Sequence, residues 1–256
     1  MSPLFTHPLI EWYLWIAPNV LCAVALVVAL RKKFLNTLPW FVMSLGFYVL
    51  KFASDVSIES VSVSVRVYVW TVLLGIFVST LFELAVLYEL TNKLILSHTP
   101  LARVLGPLPR WGVSVLLLLA TVATALFTPP MRLQIVRTYW TLAFFNNLFE
   151  LTLVLALLLV ARIVGVSLRS LPAGAALGFG ISAAGGMAAV LTWGHWGPNE
   201  RAFAIDIFRS GAWHLCVLVW LLYILFPEKP MNANEVVVQM SQLEPHSREL
   251  QRFFQP

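Results

Sequence analysis

Two glutamates within the most apolar part of the sequence are the residues most able to do chemistry. Glu83 and Glu150 each occupy the third position of a Leu-Phe-Glu-Leu tetrapeptide inside a long hydrophobic stretch. An ionisable side chain at the centre of a membrane helix costs roughly 2.5–3.5 kcal/mol on insertion scales, so both should face the interior of a helix bundle. Glu89, which is nearer the end of the same stretch as Glu83, is expected at the membrane interface.

The two interior glutamates, together with Asn146 and Asn147, form what we call the inner polar group. Two carboxyls that approach each other do not both ionise readily, so one of them would hold a proton. The inner polar group therefore predicts a proton or ion site. The alternative is structural, with each carboxyl either protonated or hydrogen-bonded to a neighbouring helix.

A second set of polar residues lies towards the other end of the hydrophobic stretches, and we call it the outer polar group. Its members are Lys51, Asp55, His195, Trp196, Asp206, Arg209 and His214. Together they predict a pocket for a small or lipidic ligand. The competing interpretation is two local ion pairs, because Lys51 and Asp55 are four residues apart, Asp206 and Arg209 are three apart, and each pair shares a helix face.

No pattern in the sequence calls for a cofactor or a metal. No second histidine lies three or four residues from His214, so neither a zinc site nor a pair of haem ligands is expected. Zinc-protease, phosphate-loop and hydrolase-elbow motifs are also absent. Two cysteines, Cys22 and Cys216, are too few for a disulfide framework. We find no catalytic motif and expect no cofactor.

Seven long apolar stretches must position these residues. The chain of 256 residues is 59% hydrophobic and 11% charged, whereas a soluble domain carries roughly 25% charged residues. Each stretch supplies about the 20 residues that a membrane-spanning helix needs. The predicted spans are residues 10–30, 38–57, 67–92, 111–128, 136–162, 172–194 and 203–226. The predicted fold class is all-α, a polytopic membrane protein with a seven-transmembrane helix bundle.

Basic residues are unevenly distributed between the two sides of this bundle. One side carries Arg31, Lys32, Lys33, Lys93, Arg103, Arg110, Arg162, Arg169 and Lys229, and the other carries Arg66, Arg132, Arg137 and Arg201. The positive-inside rule places the first set in the cytoplasm, with the amino terminus outside. Residues 1–228 are therefore assigned to the transmembrane domain and residues 229–256 to a short cytoplasmic tail. Membrane topology also accounts for the net charge of +5, so nucleic-acid binding is not needed to explain it.

Recurring Leu-Pro pairs suggest an internal repeat. They occur at residues 38–39, 108–109 and 171–172. With the two Leu-Phe-Glu-Leu tetrapeptides, they favour three related helical hairpins followed by a seventh helix, arranged as parallel repeats. Chance recurrence is the alternative, because leucine, phenylalanine and proline are common in this chain.

The sixth predicted span carries a small residue at every fourth position. Gly174, Gly178, Ser182 and Gly186 would form one stripe that lets another helix approach closely. That helix belongs either to the same chain or to another protomer, and we favour the same chain.

We expect a non-enzymatic protein of receptor or sensor type, which binds a small or lipidic ligand and signals through a separate protein. The alternatives are a small-solute or proton-coupled transporter, an enzyme acting on lipid, and an accessory subunit of a membrane complex. The expected partners are membrane lipid, a small-molecule ligand, and a membrane or cytoplasmic protein, with no nucleic acid. Because no eukaryotic targeting or lipidation motif occurs, we expect a bacterial inner membrane.

Overall fold

The described part of the chain consists mainly of long helices. A computed structural model describes residues 9–60, 65–96, 121–122, 134–163, 167, 169–196 and 202–226, and no strand occurs among them. The helices are α1 Leu9–Arg31, α2 Pro39–Ser60, α3 Val65–Thr91, α4 Gln134–Ile163, α5 Leu171–Trp196 and α6 Ala202–Leu225. A 3-10 turn, Phe34–Asn36, links α1 to α2, and a π-helical turn, Asn92–Leu96, extends α3.

All six of these helices are long and apolar enough to cross a membrane. They confirm the first, second, third, fifth, sixth and seventh predicted spans, and they identify a multi-pass helical membrane protein. The fourth predicted span lies outside the described residues, apart from Thr121 and Val122, which are helical. The predicted tail, residues 229–256, lies outside them as well.

A lysine joins two helix ends at one end of the bundle. Lys32, which follows α1, donates from Nζ to the carbonyl oxygens of Ile224 at 2.8 Å and Leu225 at 3.0 Å, at the end of α6. The last carbonyls of a helix have no partner within it, and a cation there complements the helix dipole. We call this part of the molecule the Lys32 end.

At the start of α2, a glutamate accepts hydrogen bonds from backbone amides. The carboxyl oxygens of Glu89 accept hydrogen bonds from the backbone amides of Trp40 at 3.4 Å and Phe41 at 3.1 Å. Pro39, the first residue of α2, has no amide hydrogen to be satisfied. Glu89 lies two residues before the end of α3, where an interface position was expected, and it also has a structural role there. Its side chain is 7% exposed, because it supplies the acceptors that the first turn of α2 lacks.

Contacts between helices establish the direction of each one. α1, α3 and α6 all end at the Lys32 end. α5 runs antiparallel to α6, because Gly174 lies against Tyr223 whereas Gly185 lies against Ala212. α4 runs antiparallel to α5 by the same kind of contact. α3 and α4 are therefore parallel, so α3 ends at the Lys32 end and α4 begins at the opposite end.

The largest fully buried side chains in the described part of the chain lie towards the Lys32 end. They are Trp220, Phe41, Phe179, Leu38, Leu45, Leu87, Leu90, Leu94, Ile224, Val42, Val86 and Val154. Five of the six helices, α2 to α6, contribute to this set. The largest buried side chains therefore lie where Lys32 and Glu89 also contact helix ends.

Replacing Glu89 with alanine should destabilise the protein. Two amides at the start of α2 would lose their acceptors, and loss of a helix cap typically costs about 0.5–2 kcal/mol. Glu89→Gln retains one side-chain oxygen and should lose less. The measurement is the thermal unfolding midpoint of the purified protein in detergent, and equal midpoints for both variants and the wild type would contradict this role.

Candidate functional site

Glu83 lies inside the bundle and accepts hydrogen bonds from three side chains. Tyr48 Oη of α2 donates to Oε1 at 3.0 Å, and Ser79 Oγ, one turn earlier in α3, donates to the same oxygen at 2.8 Å. Asn146 Nδ2 of α4 donates to Oε2 at 2.9 Å. Both oxygens of the carboxyl are therefore supplied with donors, and α2, α3 and α4 converge on one side chain.

Glu150 is the second carboxyl of this site, and it is almost completely buried. It is 5% exposed, and its charge would interact with that of Glu83. Among the described residues, no donor lies within hydrogen-bonding distance of Glu150 Oε1. Cys216 of α6, also buried, is near enough to interact electrostatically with both glutamates. We call Glu83, Asn146 and Glu150, together with Tyr48 and Ser79, the acidic centre.

Asn147, the remaining member of the inner polar group, has a packing role. Its Nδ2 donates to the carbonyl oxygen of Ala143 at 2.6 Å, one turn earlier in α4. Its Oδ1 lies where a Cβ on Gly186 of α5 would come within 2.2 Å. The structure thus brings Glu83, Asn146 and Glu150 together, whereas Asn147 fills a gap that only glycine leaves open.

An aromatic cluster surrounds the ring of Tyr48. Its ring centroid lies 4.8 Å from that of Trp213 and 6.3 Å from that of Trp220. Trp220 in turn lies 5.4 Å from Phe41 and 4.9 Å from Phe179. Edge-on and offset ring contacts at these distances are favourable. The cluster therefore holds the hydroxyl of Tyr48 in place against Glu83.

Trp220 is held by a contact that requires a glycine. Its Nε1 donates to the backbone carbonyl of Ala175 at 3.1 Å. A Cβ on Gly178 would lie 2.2 Å from that nitrogen, which real Cβ atoms do not tolerate. The small residue at position 178 thus lets the indole reach the backbone of α5.

The predicted stripe of small residues divides between two neighbouring helices. Gly174 and Gly178 face α6, whereas Gly186 faces α4, and Ser182 between them is half-buried. The reason is helical geometry, since a step of four residues rotates the face by about 40° at 3.6 residues per turn. The contacts of these three glycines are within the same chain.

The outer polar group is less completely described. Lys51 Nζ and Asp55 Oδ2 form an ion pair at 3.0 Å, with about a third of each side chain exposed. His214 Nε2 lies 3.5 Å from Tyr13 Oη of α1, and His214 Nδ1 has no partner among the described residues. The backbones of His195, Trp196 and Asp206 are helical, but their side chains lie outside the described part, and Arg209 is exposed. A local ion pair therefore accounts for Lys51 and Asp55.

Two residues of the acidic centre, Tyr48 and Ser79, were not found from the sequence. Ser79 could have been, because it lies four residues before Glu83 and so shares its helix face. Tyr48 carries no such signal, since its position against Glu83 depends on how α2 and α3 are aligned.

Over the described residues, no group of three or more histidine, cysteine or acidic side chains is arranged to hold a metal ion.

Replacing Gly178 with alanine should lower the unfolding temperature and change tryptophan fluorescence. The added methyl would push Trp220 away from Ala175, and such overpacking typically costs about 1–3 kcal/mol. Gly46→Ala is the matched control, because a Cβ there would meet nothing within 4 Å. An unfolding temperature for Gly178→Ala as high as that of Gly46→Ala would contradict the packing described.

Comparison with known proteins identifies no relative of this chain. No family model matches it, no curated protein matches it, and no solved structure matches it. The case for its function therefore depends on the geometry of the acidic centre.

Proposed function

We propose that this protein is a membrane transporter for a small solute, driven by a proton or other small cation that binds at the acidic centre. The observation that carries the proposal is the environment of Glu150. This residue has a buried carboxyl with an oxygen that lacks a donor among the described residues, beside a second carboxyl that is fully hydrogen-bonded. Ionisable side chains inside a membrane domain commonly mark ion pathways and proton relays.

The depth of the acidic centre supports transport. Glu83 is the eleventh of the 22 residues of the span Leu73–Leu94, and Glu150 is the tenth of the 22 residues of Thr141–Arg162. Both carboxyls are therefore close to the middle of these two apolar segments. Coupling ions in secondary transporters bind near the midplane, where access can alternate between the two sides.

A receptor or sensor that binds a small or lipidic ligand and signals through a separate protein is our second proposal. It rests on the outer polar group, in which Lys51 and Asp55 already neutralise each other. An accessory subunit that docks through the small-residue stripe has less support, because Gly174, Gly178 and Gly186 contact helices of their own chain. Transport is therefore the function that the geometry of the acidic centre supports best.

We infer that the connection between α3 and α4 contains the fourth predicted span, which brings the number of membrane spans to seven. α3 and α4 are parallel, so residues 97–133 must cross the membrane if both of these helices do. The span predicted within this connection, residues 111–128, has about the length needed for one crossing. With the basic residues at the Lys32 end facing the cytoplasm, the amino terminus lies outside. A bacterial inner membrane is the location we propose.

Reconstitution into liposomes tests the transporter proposal. Wild-type protein should move one member of a panel of small solutes when a pH or sodium gradient is imposed. Glu83→Gln and Glu150→Gln should each abolish gradient-driven uptake, because each removes a carboxyl of the acidic centre. Glu89→Gln is the matched control, since it neutralises a glutamate of α3 outside the centre and should retain uptake. Absence of uptake for a broad panel by the wild type would contradict the proposal.

Single-cysteine labelling tests the topology. In a background with Cys22→Ala and Cys216→Ala, cysteines placed at Ser97 and Met131 should lie on opposite sides of the membrane. A membrane-impermeant maleimide added to intact cells should label Met131→Cys alone, and permeabilised cells should allow labelling of both. Labelling of both positions in intact cells would rule out a single crossing between them.

A further inference from the structure

We propose that the ligand of the acidic centre is a proton carried by Glu150, and that Glu83 is a fixed anion beside it. The coupling of this proton to solute movement rests on the proposed transport function. The identity of the ligand and of the residue that carries it does not, since both follow from the hydrogen bonds around the two carboxyls.

The three donors around Glu83 suit a carboxylate. Asn146 presents an amide nitrogen, which has only hydrogens to offer, to Oε2. Tyr48 and Ser79 donate their hydroxyl hydrogens to Oε1. Hydrogen bonds to an ionised acceptor are among the strongest in proteins. Glu83 can therefore keep its negative charge inside the bundle without a bound cation.

Glu150 has the opposite surroundings. Its Oε1 is buried and has no donor among the described residues. An ionised carboxylate in such a position is costly, whereas a carboxylic acid brings its own hydrogen and carries no charge. A bound proton therefore removes the charge that this side chain would otherwise bury without a partner.

Among the described residues, the ionisable groups that interact electrostatically with Glu150 are all acids. They are Glu83 of α3, Tyr48 of α2 and Cys216 of α6, and Cys216 in turn interacts with Cys22 of α1. On α5 the only ionisable residue is His195, at the far end of the helix. No cation among the described residues therefore neutralises Glu150 or competes with a proton for this carboxyl.

The same geometry disfavours an alkali or alkaline-earth cation. Hard cations such as calcium need six to eight oxygen ligands that point their lone pairs inward. Here Tyr48, Ser79 and Asn146 direct hydrogens, not lone pairs, towards Glu83. A cation would have to break these three hydrogen bonds, whereas a proton on Glu150 leaves them intact.

Loss of the proton would have a mechanical consequence. Glu83 and Glu150 would then be two anions in a medium of low dielectric constant, where like charges repel strongly. The repulsion acts between α3 and α4, which Asn146 joins. α4 is also packed against α5 through Asn147 and Gly186. Movement of α4 away from α3 would therefore shift α5, which gives a proton-dependent change between two arrangements of the bundle.

Infrared difference spectroscopy on the purified full-length protein tests the assignment. The wild type at neutral pH should show the carbonyl stretch of a protonated carboxyl. Glu150→Gln should lose that band, and Glu83→Gln should keep it. Exchange of choline for sodium or potassium in the buffer should leave the band unchanged. Loss of the band in Glu83→Gln, or its disappearance on adding sodium or potassium, would overturn the assignment.

The wild-type protein allows a second test that does not depend on a variant that folds. Dicyclohexylcarbodiimide adds to protonated carboxyls in apolar surroundings, and mass spectrometry should locate the adduct on Glu150 and not on Glu83. An adduct on Glu83 alone, or none, would overturn the assignment. The two proposals can fail separately. A protonated Glu150 without any solute uptake would contradict the transport proposal alone. Uptake without a protonated Glu150 would contradict only the proposal that Glu150 carries the proton.

Discussion

The carboxyl group of Glu83 is the point on which the arrangement of three helices depends. A glutamate in the middle of a membrane span is tolerated only if its charge and its lone pairs are satisfied within the protein. Tyr48 from α2, Ser79 from α3 and Asn146 from α4 meet this requirement together. Because the alternative is an unsatisfied carboxylate in hydrocarbon, each of these helices is constrained in rotation as well as in depth.

The rest of the interior supports this centre from the Lys32 end. Tyr48 is held by an aromatic cluster around Trp220, and Trp220 is held by the carbonyl of Ala175 next to Gly178. Lys32 and Glu89 satisfy backbone groups at the ends of α6 and α2, where a bilayer offers no substitute partner. Most of the large buried side chains lie in the same half. The helix ends and the aromatic cluster at this end therefore support the side chain that donates to Glu83.

The two glutamates have similar sequence surroundings and different structural ones. Both lie in the same tetrapeptide at comparable depth, and yet one is surrounded by donors and the other has an oxygen without any among the described residues. Environments that differ in this way can give two carboxyls different roles, one remaining charged while the other exchanges a proton. Neighbouring helices create the difference, because residues adjacent to each glutamate along the chain are nearly the same.

The sequence by itself determined the helices and the residues that had to be inside. Span lengths follow from apolar composition alone, and the Lys51–Asp55 pair follows from a spacing of four within one helix. The cost of burying charge was enough to indicate an interior position for Glu83 and Glu150. Only the tertiary structure decided which donors serve Glu83, that Asn147 faces Gly186, and that Glu89 caps α2. These features depend on the rotation and axial position of one helix against another, which no periodicity within a single helix can specify.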